Sequence, residues 1–331
     1  EGDACKYHGT GPFNIDTGES TASSSDSNTQ SFTQAFSDWI VARAENEPDL
    51  HCITPAMREG SGLVEFSARF PERFHDVGIA EQHAVTLAAG MAIDGLKPVV
   101  AIYSTFLQRA YDQLLHDVAI QNLDVLFAVD RAGIVGADGA THTGNFDISF
   151  CRCIPDIMIM TPANAEDLHA LLNTGYRYSG PALVRYPRDN CARPTTVNTE
   201  TEINPGCAQV LREGQHIAIL VFGPLLELAT ELAEQFNCTL VNMRFVKPLD
   251  KTLLSQLAET HPHFVTLEDQ AIPGGAGSAV SEWVMQQGSA VRCHLHGLAD
   301  HFPDQGERNQ VLADYGLNLE SLTENLKQLA R

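Results

Sequence analysis

The sequence predicts an α/β protein of two successive domains, each a mainly parallel sheet flanked by helices. Three observations carry this. Short apolar runs alternate with stretches of helical spacing, the pattern of parallel strands covered on both faces. The 331 residues are too many for one ordinary hydrophobic core. Residues 190–208, rich in Pro, Thr, Asn and Glu with little periodicity, separate two such series. The expected organisation is an N-terminal arm or linker at 1–30, a first domain at 31–189, a linker at 190–208 and a second domain at 209–331.

Taken in order, "DTGESTASSSDSNTQ" is Ser/Thr-rich, lacks apolar anchors and reads as a linker or flexible arm. "SFTQAFSDWIVARAENEPD" has helical spacing at Phe32, Phe36, Trp39, Ile40 and Ala44. "FHDVGIAEQHAVTLAAGMAIDG" reads as a short strand running into a helix. "KPVVAIYS" is a buried strand, "TFLQRAYDQLLHDVAIQ" a helix, and "DVLFAVD" and "DIMIMTP" are strands. "NAEDLHALLNTGYRY" is a helix with Asn164 as its N-cap, and "PALVRYP" closes the first half. The second half begins at strand "HIAILVFG". Helix "LLELATELAEQF", strand "TLVNMRFV", helix "KTLLSQLAET" and strand "HFVTLED" follow. Gly274-Gly275-Ala276-Gly277 opens the next helix. It lacks the full dinucleotide-binding pattern and reads as a close helix–strand packing turn rather than an anion site. Strand "VRCHLHG" and helix "ESLTENLKQLA" complete the chain.

The formal net charge of −21 argues against nucleic acid or an anionic membrane as partner. An anionic substrate must then be held by a few local arginines. No apolar run reaches membrane-spanning length. The eight cysteines have no zinc-type spacing, so reduced thiols and a cytoplasmic setting are expected. Plastid targeting stays open, because the chain begins with Glu1. Five histidines, His261, His263, His294, His296 and His301, are read as structural or surface.

One placement calls for an explanation: Glu81-Gln82-His83 puts polar groups at a strand-to-helix junction, ahead of an apolar run. On residues alone, Glu81 is equally a first-turn carboxylate favoured by the helix dipole and a poorly solvated functional acid. Longer motifs resolve the choice. "ITPAMREGSGLVEFSARFPERFHDVGIAEQHAVTLAAGMA" resembles the pyrimidine-binding domain of transketolase-like thiamine diphosphate enzymes. "DRAGIVGADGATHTG", "GPALVRYPR", "VNMRFVKPLD" and "EDQAIPGGAGSAV" narrow the resemblance to the 1-deoxy-D-xylulose-5-phosphate synthase family, from about Lys6 to near the C-terminus.

That resemblance implies thiamine diphosphate as cofactor, with Mg²⁺ holding its diphosphate. It makes Glu81 the catalytic carboxyl bonded to the cofactor's pyrimidine nitrogen, and Phe106 the aromatic stacked on that ring; by itself Phe106 reads as an ordinary core residue. Tyr103 and Arg109 match positions that face the substrates, pyruvate and D-glyceraldehyde 3-phosphate. Arg131 and Arg188 are the candidates for the acceptor's phosphate, because a guanidinium suits a dianion; by itself each reads as a surface salt bridge. His142 would donate a hydrogen bond or move a proton, and Asp138 would take a substrate hydroxyl. The family's G-D-G…N signature for magnesium and diphosphate does not occur, so an N-terminal diphosphate-binding domain is expected on a separate or clipped polypeptide. A homodimer is expected, and the chain alone is expected to be inactive. Two other classes fit part of the sequence: the β subunit of a 2-oxo acid dehydrogenase E1 component, and a non-catalytic dimerisation module. "DRAGIVGADGATHTG" and "RYPRDN" argue against the first, and the retained Glu81 and arginines against the second.

Overall fold

The computed structural model describes residues 13–19 and 28–329. Most of the arm expected at 1–30 lies outside these residues. Fourteen strands occur among the described residues. In chain order they are β1 (Thr29–Ser31), β2 (Leu50–Thr54), β3 (Phe74–Asp76), β4 (Lys97–Tyr103), β5 (Leu126–Asp130), β6 (Met158–Met160) and β7 (Ala182–Arg185). The rest are β8 (Asn190–Ala192), β9 (Gln209–Arg212), β10 (Ile217–Phe222), β11 (Thr239–Asn242), β12 (Phe245–Lys247), β13 (His263–Ala271) and β14 (Arg292–Leu298).

A seven-stranded sheet has the order β12-β6-β7-β5-β4-β2-β3 and a five-stranded sheet the order β14-β13-β10-β11-β9. Both are parallel except at one edge, where β12 and β9 run antiparallel to their neighbours. The central strands β5 and β10 are buried at every residue, as expected for strands covered on both faces. Helices Phe32–Ala44 and Ala165–Arg177 cover one face of the larger sheet through Phe36, Trp39, Leu168 and Leu172. Helix Glu81–Ile93 lies in a second cluster with Leu254, Ala276, Val280 and Trp283 from the second half, so one apolar core is shared by both halves. Two helix starts are capped as their residues dictate: Asn164 Oδ1 accepts from the Asp167 amide at 2.9 Å, and Asp250 caps Lys251–Thr260.

Several elements depart from the sequence reading. "TLVNMRFV" is two strands in two different sheets. Arg244 takes a left-handed φ of 58°, which turns the chain so that β12 leaves the smaller sheet and pairs with β6 of the larger one. "TFLQRAYDQLLHDVAIQ" is not a regular helix but a series of short helical turns from Ser104 ending in a π-helical turn, Leu114–Ala119. The stretch read as linker contains β8, which pairs with β1 from the end of the expected arm. Strand β9 and helix Arg308–Asp314 have no counterpart in the sequence reading; both are too short for periodicity to register. At the glycine-rich turn, a Cβ on Gly275 would lie 2.5 Å from Ala271 O and one on Gly277 2.4 Å from Thr266 Oγ1. This is the close packing expected there. The amides of Ala276 and Gly277 donate to Glu268, so the anion at that helix start is the chain's own carboxylate.

Candidate active site

The candidate residues gather at the carboxyl ends of parallel strands, the edge where open α/β sheets place their sites. Glu81 opens the helix that follows β3. Tyr103 ends β4 and leads into the turn bearing Phe106 and Arg109. Arg131 follows β5, and Arg188 lies three residues beyond β7.

Glu81 is 2% exposed. Among the described residues its Oε2 has no hydrogen-bond partner, and its one ionic neighbour there is the half-exposed Arg109, whose Nε lies 3.5 Å from the same oxygen. A buried carboxylate oxygen left free is costly unless something else bonds to it. The rings of Tyr103 and Phe106 stack at 5.5 Å with 14° between planes. The edge of His142 meets Phe106 at 5.7 Å. The Arg131 guanidinium lies 4.3 Å over the Tyr103 ring, a cation–π contact.

Tyr103 is 1% exposed, and its hydroxyl has no hydrogen-bond partner among the described residues. A Cβ on Gly60 would lie 2.0 Å from that hydroxyl, so the 57–62 loop seats directly on it. Burial pushes the Tyr103 phenol up to about 12, against the pull of Arg131. The residue expected to face substrate is thus covered by a loop in this conformation.

Arg131 and Arg188 converge on one carboxylate oxygen, Asp138 Oδ2, and both are within ion-pair distance of it. Arg131 holds a left-handed φ of 55°, a strained conformation for a side chain of its size. Asp130, fully buried beside it, accepts from Thr33 Oγ1 at 2.8 Å and from the Arg131 amide at 2.6 Å. Burial pushes the Asp130 carboxyl up to about 6 even so.

Behind these groups lies a buried ionic network that the sequence reading did not single out. Arg185 is 3% exposed. It meets Asp147 at 2.8 Å and, across the two halves, Asp269 at 3.3 Å. Burial opposes its charge, but the two carboxylates outweigh that and raise its pKa. Arg308 reaches the same Asp269 from the C-terminal half. Arg185 lay inside a recognised motif, so a signal existed; nothing in the local sequence marks Asp269 or Arg308. The Glu268 carboxyl next to Asp269 is pushed up to about 7 by burial, against the two amides it accepts from.

Among the described residues no group of three or more His, Cys, Asp or Glu side chains could hold a metal ion. No helix there is long and apolar enough to cross a membrane. The described cysteines, Cys153 and Cys207 exposed among them, are all free thiols. A polar cleft of about 600 Å³ lies between Asn164, Asp167, Asn242 and Arg244, and none of the candidate residues lines it.

Comparison with known proteins bears out the fold class. Residues 28–194 match the transketolase pyrimidine-binding domain and residues 206–322 the transketolase C-terminal domain. The chain belongs to the transketolase family. Within it, the chain is 53% identical over 322 residues to a 1-deoxy-D-xylulose-5-phosphate synthase of Thioalkalivibrio sulfidiphilus, covering 97% of this chain and 50% of that one. It is 54% identical to a protein of the same name from Histophilus somni, covering 99% and 52%. The chain thus spans about half the length of these curated relatives. Among solved structures, a split-gene transketolase described as an inactive beta4 tetramer superposes with a TM-score of 0.79 at 26% identity, over 91% of this chain and 98% of that one. A transketolase of Campylobacter jejuni shares the fold, with a TM-score of 0.73 at 16% identity over 92% of this chain and 48% of that one.

Proposed function

We propose that this chain is the pyrimidine-binding and C-terminal part of a thiamine diphosphate-dependent synthase. The complete protein would join pyruvate to D-glyceraldehyde 3-phosphate, giving 1-deoxy-D-xylulose 5-phosphate and CO2, the first step of the non-mevalonate isoprenoid route. The observation that carries the reading is the buried Glu81 oxygen, which has no hydrogen-bond partner among the described residues and stands where the resemblance puts the catalytic carboxyl.

The residues present suit the cofactor's pyrimidine. Glu81 would bond to the ring nitrogen and hold the proton there. Phe106, half-buried beside Tyr103, would offer its face to the ring. Thiamine diphosphate supplies, when bound, the nucleophilic carbon and the electron sink that decarboxylation of a 2-oxo acid requires. Arg131 and Arg188 bind the acceptor's phosphate. Asp138 keeps the two guanidinium groups together until the dianion takes them, and then accepts a substrate hydroxyl. His142, half-buried against Phe106, donates to a substrate oxygen. Tyr103 and Arg109 line the substrate side, Tyr103 once the 57–62 loop moves aside.

We assign Mg²⁺ and the cofactor diphosphate to an N-terminal domain, consistent with a chain half as long as its relatives. We further assign a homodimeric assembly and a cytoplasmic setting. Without the N-terminal domain the chain binds cofactor weakly and turns over nothing. The test is product formation from pyruvate and glyceraldehyde 3-phosphate by the complete protein with thiamine diphosphate and Mg²⁺. Acetyl transfer to a lipoyl domain in place of the sugar product would refute the reading. So would full turnover by the 331-residue chain alone refute the split site.

A further inference from the structure

We infer that Arg308, in the C-terminal half, is a positioning residue that fixes the spacing of the two guanidinium groups assigned to the acceptor phosphate. The inference deepens the synthase reading proposed above and rests on it. Arg131 and Arg188 come from separate segments, one after β5 and one after β7; the backbone pairing of those strands ends where the Ala132 amide donates to Tyr186 O at 3.0 Å, two residues short of Arg188. Arg308 touches both segments. Its Nε donates to Ile134 O at 3.1 Å, at the neck of the loop that carries Arg131, Asp138 and His142. Its Nη1 lies 2.9 Å from Asp189 Oδ2, next to Arg188 in sequence. Its Nη2 is anchored at 3.3 Å on Asp269 Oδ2, which Arg185 also holds in place through the other oxygen. One planar fork with donors at fixed angles meets three partners at once, which an ammonium group cannot do.

The loop is seated on the C-terminal half from Gly133 to Gly139. Its neck closes through paired amide bonds between Gly133 and Gly144, each 2.8 Å. A Cβ on Gly133 would lie 2.0 Å from Asp269 Oδ2, and one on Gly136 2.9 Å from the Arg308 amide nitrogen and from Gly306 O. Gln305 Nε2 donates to Ala137 O at 2.8 Å, one residue before Asp138. The tip is therefore read by the 305–308 segment, and the base by Asp269. The second domain, which supplies no group to the chemistry itself, sets where the phosphate-binding groups stand.

The experiment uses the complete protein, with Arg308→Lys as the main variant. Asp189→Asn, at a partly exposed partner, serves if Arg308→Lys does not fold. Two acceptors are compared: D-glyceraldehyde 3-phosphate and unphosphorylated D-glyceraldehyde. Misplacing one of two phosphate ligands should lower the preference for the phosphorylated acceptor about tenfold, with the KM for pyruvate within about twofold of wild type. A merely structural docking residue would lower activity on both acceptors alike, and that result overturns the inference. Amide hydrogen exchange gives a readout independent of turnover. The Gly133 and Gly144 amides should exchange faster in Arg308→Lys, while the β4 and β5 amides keep their protection. Unchanged exchange at Gly133 and Gly144 overturns the inference too. If the wild-type protein uses neither aldehyde with pyruvate, the synthase reading falls, and hydrogen exchange still decides whether Arg308 positions the loop.

Discussion

Replacing Glu81 with Gln should abolish turnover in the complete protein and leave the fold nearly as stable as before. The two halves of that prediction come from different features of the same side chain. Glu81 is 2% exposed, and its single ionic neighbour, Arg109 at 3.5 Å, is itself half in solvent. Losing a charge-assisted contact costs about 1.5–3 kcal/mol in favourable geometry. A pair at 3.5 Å with one exposed partner sits below that range. Against it stands the penalty of burying a carboxylate, several kcal/mol for a group with few compensating bonds. Gln keeps the size and the rotamer of Glu and removes most of that penalty. The lost contact is the smaller of the two effects, so the melting temperature should hold or rise by a few degrees. Catalysis responds otherwise. An amide can hydrogen-bond but cannot share a proton with a ring nitrogen, and a general-acid contribution of about 10²–10⁴-fold is at stake. The assay is turnover of pyruvate and glyceraldehyde 3-phosphate beside a thermal melt of the same preparation. Near-normal turnover would refute the catalytic role. A collapse of the melt would show that Glu81 serves the fold instead.

Other outcomes follow from the same geometry. Arg188→Ala should weaken the acceptor's apparent affinity roughly ten- to a hundredfold, from about 1.5–3 kcal/mol for a lost charged partner. Steady-state kinetics in which the pyruvate constant shifts equally would sink the phosphate assignment. Gly133→Ala should destabilise by about 2–4 kcal/mol, since it combines a φ of +75° with a Cβ 2.0 Å from the anchored Asp269; urea titration measures it, and a loss under about 0.5 kcal/mol would contradict the packing. Glu268 has a folded-state value near 7, above its ordinary 4.5. The folded chain therefore keeps a proton that the unfolded chain releases, and stability falls as pH rises from about 4.5 to 7, by at most about 1.4 kcal/mol per pH unit. Glu268→Gln should flatten that slope without removing it, because Asp130 and Asp269 are raised in the same direction; an unchanged slope in denaturation across this range would refute the assignment.

The sheet strands were legible because burial on both faces writes them as uninterrupted apolar runs: β4, β5 and β10 are such runs in the sequence and are buried in the structure. Helix Ala165–Arg177 was legible through its cap and its spacing. Segment 104–119 was not, because its apolar residues satisfy helical spacing while the chain takes successive tight turns toward the site. The position of Glu81 ahead of an apolar helix raised the right question. Local sequence alone could not separate a helix-dipole carboxylate from a functional one, and the functional reading rests on the longer resemblance. Its missing hydrogen-bond partner is a property of three-dimensional neighbours. The convergence of Arg131 and Arg188 on Asp138 is of the same kind: the three residues span 58 positions, from 131 to 188, and meet because β5 and β7 are adjacent.

What the sequence hid most completely is the dependence of the first domain on the second. Composition and periodicity marked a boundary near residues 190–208, which invites the picture of two independent units. The structure crosses that boundary repeatedly. Strand β12, from the second half, completes the edge of the first half's sheet, and Lys247 within it donates to Arg152 O at 3.2 Å. Arg152 in turn forms a two-pronged pair with Glu282, both contacts 2.7 Å. Arg185 and Asp269 join the halves through charges that are almost fully buried, and separating them costs Arg185 one of its two carboxylates and Asp269 one of its two guanidinium groups. The shared apolar core adds to that cost. A chain cut in the 190–208 stretch should therefore yield a first domain lacking an edge strand and with the Arg185–Asp269 pair broken. It would fold poorly by itself even though every strand of its own is intact. The unit that carries Glu81 and the arginines is thus the two-domain chain, and the C-terminal half belongs to the site through what it holds in place.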